Sequence, residues 1–211
     1  MQTTRIVFSA LCRAAPALAL GFAVAAQSRP ITYTLDPDHT YPSFAADHMG
    51  LSTWRGKFTH STGTATLDRA KQTGSVRVVT TIASIDLGNA AVAQALLSAS
   101  IPAAVCKVDC AMFDARRYPT AVFQGKLAGF VHGAPTRVVG TFTLHGVTRP
   151  LTLKVDHFKC MPDFMLKPRE RCGAELSGSL DRAAFGITGG RSFGMDMKVA
   201  LQIQVEAVQD K

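Results

Sequence analysis

Six histidines, His39, His48, His60, His132, His145 and His157, are the side chains best suited to bind a metal or move a proton, and five cysteines are the best nucleophiles. Their spacing argues against both uses. No His-x-His or His-x-x-x-His pair occurs, and His39 and His48 are separated by a turn, so a metal would have to gather ligands from distant strands. There is no Gly-x-Ser-x-Gly elbow, and the serines have no evident base beside them. Asp36 with Asp38, and Asp181 with Arg182, read as turn residues or ion pairs rather than an acid–base couple. No catalytic residue, metal or cofactor is expected.

Cys12 lies in the first, leader-like segment, which leaves Cys106, Cys110, Cys160 and Cys172. Four cysteines in an oxidising compartment imply two disulfides with three conceivable connectivities. The local pairs Cys106–Cys110 and Cys160–Cys172 are favoured because each encloses a loop-like stretch; the second would cinch a loop containing Pro162, Pro168 and several charges. A closed loop of that size stabilises by roughly 2–3 kcal/mol in the chain-entropy picture. Cys-x-x-x-Cys lacks the two-residue spacing of redox pairs and zinc knuckles.

The leader has Arg5, an apolar run from Ala14 to Ala25 and the small-residue end Ala23-Val24-Ala25. This is the pattern of a signal peptide over residues 1–26, cleaved after Ala25 or Ala26. The run is too short for a membrane span, and no acylation box precedes a cysteine there. Residues 27–211 then form one domain of a periplasmic or secreted protein with no permanent membrane anchor. Without Arg5 and Arg13 the chain remains basic by about six charges, scattered rather than interleaved with aromatics, which excludes nucleic acid and allows weak attraction to anionic lipid surfaces.

The elements that must position any site are strands. Alternation with period two recurs in Tyr33 and Leu35; Phe44, Ala46 and His48; Trp54, Gly56 and Phe58; Val76, Val78, Thr80 and Ile82; Gly140, Phe142 and Leu144; Leu151, Leu153 and Val155; and Val199, Leu201, Ile203 and Val205. Further strands are expected at 121–123 and 174–180. The run 90–99 is alanine-rich and capped by Asn89, so a short helix is expected there, stopped by Pro102. These signals indicate a mainly all-β fold of about eight antiparallel strands. A closed barrel removes exposed edges and at this size can hold one ligand, although periodicity alone leaves a two-sheet sandwich open.

Five stretches, taken in order, carry a resemblance: Tyr33-x-Leu35-Asp36-x-x-His39 with Phe44 and His48-Met49-Gly50; Gly56-x-Phe58; Phe113-Asp114 with Tyr118-Pro119-Thr120-x-x-Phe123; Gly140-x-Phe142-Thr143-Leu144-His145-Gly146-Val147-Thr148-Arg149-Pro150; and Asp181-Arg182-x-x-Phe185-Gly186-Ile187. Together the chain resembles the YceI-like family of exported lipid-binding proteins over essentially all of its length after the leader. The resemblance implies a lipocalin-like barrel enclosing an apolar tunnel for a polyisoprenoid or other long-chain lipid, with no catalytic centre. The chain departs from the family pattern between Ser84 and Phe113, and its loop between Cys160 and Cys172 is longer than that pattern requires.

On this reading the tunnel lining comprises Phe44, His48, Trp54, Phe58, Phe113, Phe123, Phe142 and Phe185, with His48 and Arg55 as polar groups at the mouth. The same aromatics would simply be core if the barrel were filled. Gly56, Gly125, Gly140 and Gly178 fall on inward faces and are expected to leave room for a ligand. The function expected is a binding protein that holds a long-chain isoprenoid or related lipid, such as a quinone or polyprenyl phosphate, for transport, storage or sequestration. A secreted hydrolase-like enzyme on a lipid substrate and a filled-barrel interaction module are the competing readings. A homodimer is compatible with all of them.

Overall fold

A computed structural model describes residues 29–211; the signal-peptide reading therefore lies outside the described residues. Eight antiparallel strands follow one another around a closed ring. β1 has two segments, Ile31–Leu35 and Tyr41–His48; β2 has two, Ser52–Phe58 and Ser61–Asp68; β3 has Thr73–Thr81 and Ile85–Asp86. The others are β4 (Thr120–Ala128), β5 (Arg137–Leu144), β6 (Val147–Pro162), β7 (Glu170–Asp181) and β8 (Lys198–Gln209). Each pairs with the next, and β8 closes on both segments of β1, with Tyr33 opposite Gln209 and Val199 opposite Ala46. The barrel, not the sandwich, is the architecture.

Strands β1, β2 and β6 each change which side chains face inward. In β1, Tyr33 and Leu35 point into the barrel, then a short 3-10 turn at Pro37–His39 shifts the phase so that Pro42, Phe44 and Ala46 do. In β2 the break at Thr59 and His60 moves the inward set from Trp54, Gly56 and Phe58 to Ala65 and Leu67. In β6 the pairing with β7 slips between Glu175 and Leu176, leaving Asp156 as the extra residue. Phe158 and Cys160 thereby continue the inward face begun by Leu151, Leu153 and Val155. A bulge is the ordinary means of re-aiming a strand in this way.

The β5–β6 turn is two residues, His145 and Gly146, both with positive φ, as the strand twist demands of so tight a hairpin. Between β3 and β4 the chain makes its excursion. Helix α1 (Ala90–Leu97) starts at Asn89, whose side chain accepts from the Val92 amide at 3.1 Å, as expected from the sequence. The segment after it carries the Cys106–Cys110 disulfide; Cys160–Cys172 joins β6 to β7. Both are the local pairs expected.

One cation ties the seam. The Arg171 guanidinium on β7 donates to Asp36 Oδ2 at 2.6 Å, Glu206 Oε2 at 3.0 Å and Asp163 Oδ2 at 2.9 Å, joining the bend of β1, strand β8 and the β6–β7 loop. Burial raises the Asp36 carboxyl's pKa, but hydrogen bonds from Arg171, His39 and the Asp38 amide outweigh it and hold it below 3.8. Asp163 is held low chiefly by the Leu166 amide, with Arg171 and the Met165 amide assisting against burial. Carboxyls lowered in the folded state stabilise it above their unfolded pKa, and that stability is lost as pH falls through the folded values. Replacing Arg171 with Met should cost about 2–3 kcal/mol in urea denaturation at neutral pH, because it removes charge-assisted hydrogen bonds to Asp36, Glu206 and Asp163 and leaves Asp163 only the Met165 and Leu166 amides. The variant's stability should then fall less steeply than the wild type's as pH drops below the ordinary carboxylate range.

Candidate functional site: an apolar bore

The inward faces do not meet at the axis. They leave a cavity of about 470 Å³, within the size range of small-molecule sites, that runs between the two ends of the barrel. One end carries Tyr33, Leu67, Phe158 and Cys172. Its Tyr33 hydroxyl donates to Glu170 at 2.6 Å, Arg69 donates to the same carboxylate at 2.7 Å, and burial raises the phenol's pKa, as does its bond to Glu170. The middle is walled by Val76, Val138, Leu153, Leu176, Leu201 and Val205. At the far end the wall passes from strands to the excursion: Leu87, then Val92, Ala95 and Leu96 of α1, then Ile101, Met112 and Phe113.

That far wall is held together by backbone hydrogen bonds. The amides of Met112, Phe113 and Ala115 donate to the carbonyls of Ala99, Leu96 and Leu97, and the Gly189 amide donates to Ala111 O at 2.7 Å. The loop after β7 is thus joined to the segment after α1, and Gly190, Met195 and Arg182 complete the wall there.

Six of the expected lining residues stand on this wall: Phe44, Trp54, Phe58, Phe113, Phe123 and Phe142. Phe44 packs on Phe58 with ring centres 5.8 Å apart, and Phe58 meets Phe113 edge-on at 6.2 Å. The other two stand behind it. His48 stacks on Trp54 with ring centres 4.1 Å apart, and Phe185 packs edge-on against Phe142 at 5.7 Å in a buried cluster with Ile82, Ala121, Leu144 and Ile187. Arg55 alternates with Trp54 and Gly56 on β2 and is exposed, so it does not serve as a polar group of the bore. The reasons are local: His48 keeps the parity of Phe44 and Ala46 but ends β1 at the hairpin, past the last lining position, and Phe185 lies in a 3-10 turn where strand alternation no longer applies.

The four glycines do face inward, but their space is used. A Cβ at Gly56 would lie 2.6 Å from Phe44 Cζ, one at Gly125 would lie 2.8 Å from Val138 Cγ1, and one at Gly178 would lie 2.9 Å from Leu153 Cδ2. At Gly140 the facing atoms are the backbone of Gln124 and Gly125. At three of the four positions a neighbouring side chain therefore already occupies the space a Cβ would take, and the glycines do not open the bore.

The polar group that sequence reasoning missed is Arg182. Its Nη1 donates to Ile187 O at 3.2 Å and Gly189 O at 2.8 Å, and it and Asp47 are the charged residues of the wall among the described residues. Burial, aided by the neighbouring charge of Arg191, lowers the guanidinium's pKa against the opposing charges of Asp181 and Asp196, and Arg182 makes no salt bridge among the described residues. In sequence Arg182 follows Asp181 and reads as a turn residue or half of an ion pair; Asp181 is the turn's cap, accepting from the Ala183 amide at 2.8 Å. The helix residues were more legible, since Val92, Ala95 and Leu96 have the spacing of one helical face. Elsewhere, Cys160 and Cys172 lie close to Glu170, but their sulfurs are bonded to each other rather than offered to a metal.

An eight-stranded up-and-down barrel with an apolar bore is a lipocalin-like architecture. Within it the chain belongs to the YceI-like family: residues 33–207 match the YceI-like domain. It is 30% identical over 200 residues to a UPF0312 protein of Pseudomonas putida strain W619, spanning 92% of this chain and 96% of that one. A polyisoprenoid binding domain from Saccharophagus degradans shares the fold with a TM-score of 0.59 at 14% identity, over 85% of this chain and 99% of that one. BcnA of Burkholderia cenocepacia does so with a TM-score of 0.57 at 18% identity, over 82% and 98%.

If the bore is ligand space, filling it should abolish uptake without harming the barrel. Ala174 lies on the wall of β7, and Ala174→Trp should reduce binding of an apolar fluorescent probe at least about tenfold, while the thermal midpoint moves by only a few degrees. Unchanged probe uptake would place the binding space elsewhere.

Proposed function

We propose that this chain is an exported binding protein that holds one long-chain isoprenoid, such as a quinone or polyprenyl phosphate, in its bore, and that it catalyses no reaction. The observation that carries the reading is the wall itself: a continuous apolar bore with a desolvated cation, Arg182, near one end. Each buried CH₂ contributes about 0.8 kcal/mol, so each five-carbon prenyl unit contributes roughly 4 kcal/mol and a few units suffice for tight binding. The tail supplies affinity; Arg182 supplies a partner for an oxygen-bearing head. The polyisoprenoid binding of the Saccharophagus domain supports the ligand class, and two disulfides support a periplasmic or secreted location.

The test is native mass spectrometry with organic extraction of protein purified from a bacterial periplasm without detergent. A mass excess that extracts as one isoprenoid class is the expected result. A clean unliganded mass with no uptake of added quinone or polyprenyl phosphate would overturn the proposal. Arg182→Met should weaken a phosphate-headed prenyl lipid by about tenfold and leave uptake of a headless isoprenoid hydrocarbon unchanged, since a hydrogen bond to a charged group contributes roughly 1.5–3 kcal/mol.

A further inference from the structure

The β6–β7 hairpin outruns its neighbour. β5 pairs with β6 only from Leu144 opposite Val147 to Arg137 opposite Lys154, whereas β6 continues to Pro162 with β7 beside it. Its tip projects from the barrel end that carries Tyr33 and Phe158. Four large apolar side chains at the tip face solvent: Met161 at 47% exposure, Phe164 at 75%, Met165 at 78% and Leu166 at 47%.

The tip is held in shape. Asp163, 1% exposed, accepts from the Met165 amide at 2.8 Å, the Leu166 amide at 2.7 Å and Arg171 Nε at 2.9 Å, while its own amide donates to Arg169 O. The Cys160–Cys172 disulfide closes the base. The apolar side chains are thus displayed by an ordered loop, so a partner would meet a surface with little ordering left to oppose binding.

Charge is arranged around them. Lys159, Lys167 and Arg169 flank the tip and make no ion pair among the described residues. The acids behind it are committed: Asp36, Asp163 and Glu206 to Arg171, and Glu170 to Arg69. A convex tip of four apolar side chains is too small to bury the roughly 800 Å² per partner of a stable protein interface. A bilayer sets no such requirement: apolar side chains enter the boundary between headgroups and acyl chains while cations meet the phosphates.

We propose that the tip at 161–169 docks this barrel onto an anionic phospholipid surface, with Phe164, Met165 and Leu166 inserted and Lys159, Lys167 and Arg169 at the headgroups. Docking depends on the tip alone and not on what the bore contains. It presents to the membrane the end of the barrel whose wall includes Phe158 and Cys172.

Co-sedimentation of the protein lacking residues 1–26 with phosphatidylcholine vesicles, and with vesicles that also contain phosphatidylglycerol, tests this. Binding to the anionic vesicles that weakens as salt is raised is expected. Phe164→Ser with Met165→Ser should lower partitioning at least about tenfold, since both side chains gain from burial. Lys159→Gln with Lys167→Gln and Arg169→Gln should remove the preference for anionic vesicles. Unchanged thermal melting of both variants would show that the barrel is intact. The proposal fails if the wild type binds neither vesicle, or if the serine variant binds as the wild type does. It also fails if the wild type is a dimer in sedimentation equilibrium that the serine substitutions dissociate, which would make the tip a contact between copies.

Discussion

A ring of eight strands has no free edge only if its first strand reaches its last, and here that seam is made by a strand that has to bend. β1 lies along β8 twice, once through Tyr33 to Leu35 and again through Tyr41 to Ala46, with the 3-10 turn between. The bend would leave Asp36 and Glu206 as neighbouring acids. Arg171 resolves this by binding both and reaching Asp163 as well. Closure, the phase of β1 and the shape of the β6–β7 loop therefore share one guanidinium, and the width of the bore follows from the closure.

The strands whose inward faces keep one parity were legible from the residues alone. Val76 to Ile82, Gly140 to Leu144 and Val199 to Val205 alternate in sequence as they do in the wall. The Asn89 cap and the two local disulfides were legible for equally local reasons. Ser61–Asp68 was not, because it has no large apolar residue before Leu67 and pairs through small threonine, glycine and alanine positions. The phase change at Asp156 was not either, since a bulge is one extra residue that alternation cannot announce.

The site divides in the same way. Five aromatics on regular strand positions, Phe44, Trp54, Phe58, Phe123 and Phe142, stand on the bore as alternation assigned them, and Phe113 joins them from the segment after α1. His48 and Phe185, on a hairpin shoulder and in a 3-10 turn, instead brace Trp54 and Phe142 from behind. Arg182 could not have been found from spacing. Its place on the wall depends on the loop after β7 folding back to meet the segment after α1, a contact between residues far apart in the chain.

The order of strands around the ring is the order of strands along the chain, so seven of the eight seams join neighbours and only the eighth joins the two extremes. Each hairpin can find its partner locally, and the ring stays an open, curling sheet with a greasy concave side until β8 is in place. Truncating β8 would unzip two seams at once, from β7 and from β1, and would also remove Glu206 from the Arg171 cluster. β8 is therefore the clasp of the whole barrel. Its end lies beside the start of β1, with the Asp210 amide donating to Thr32 O at 2.9 Å.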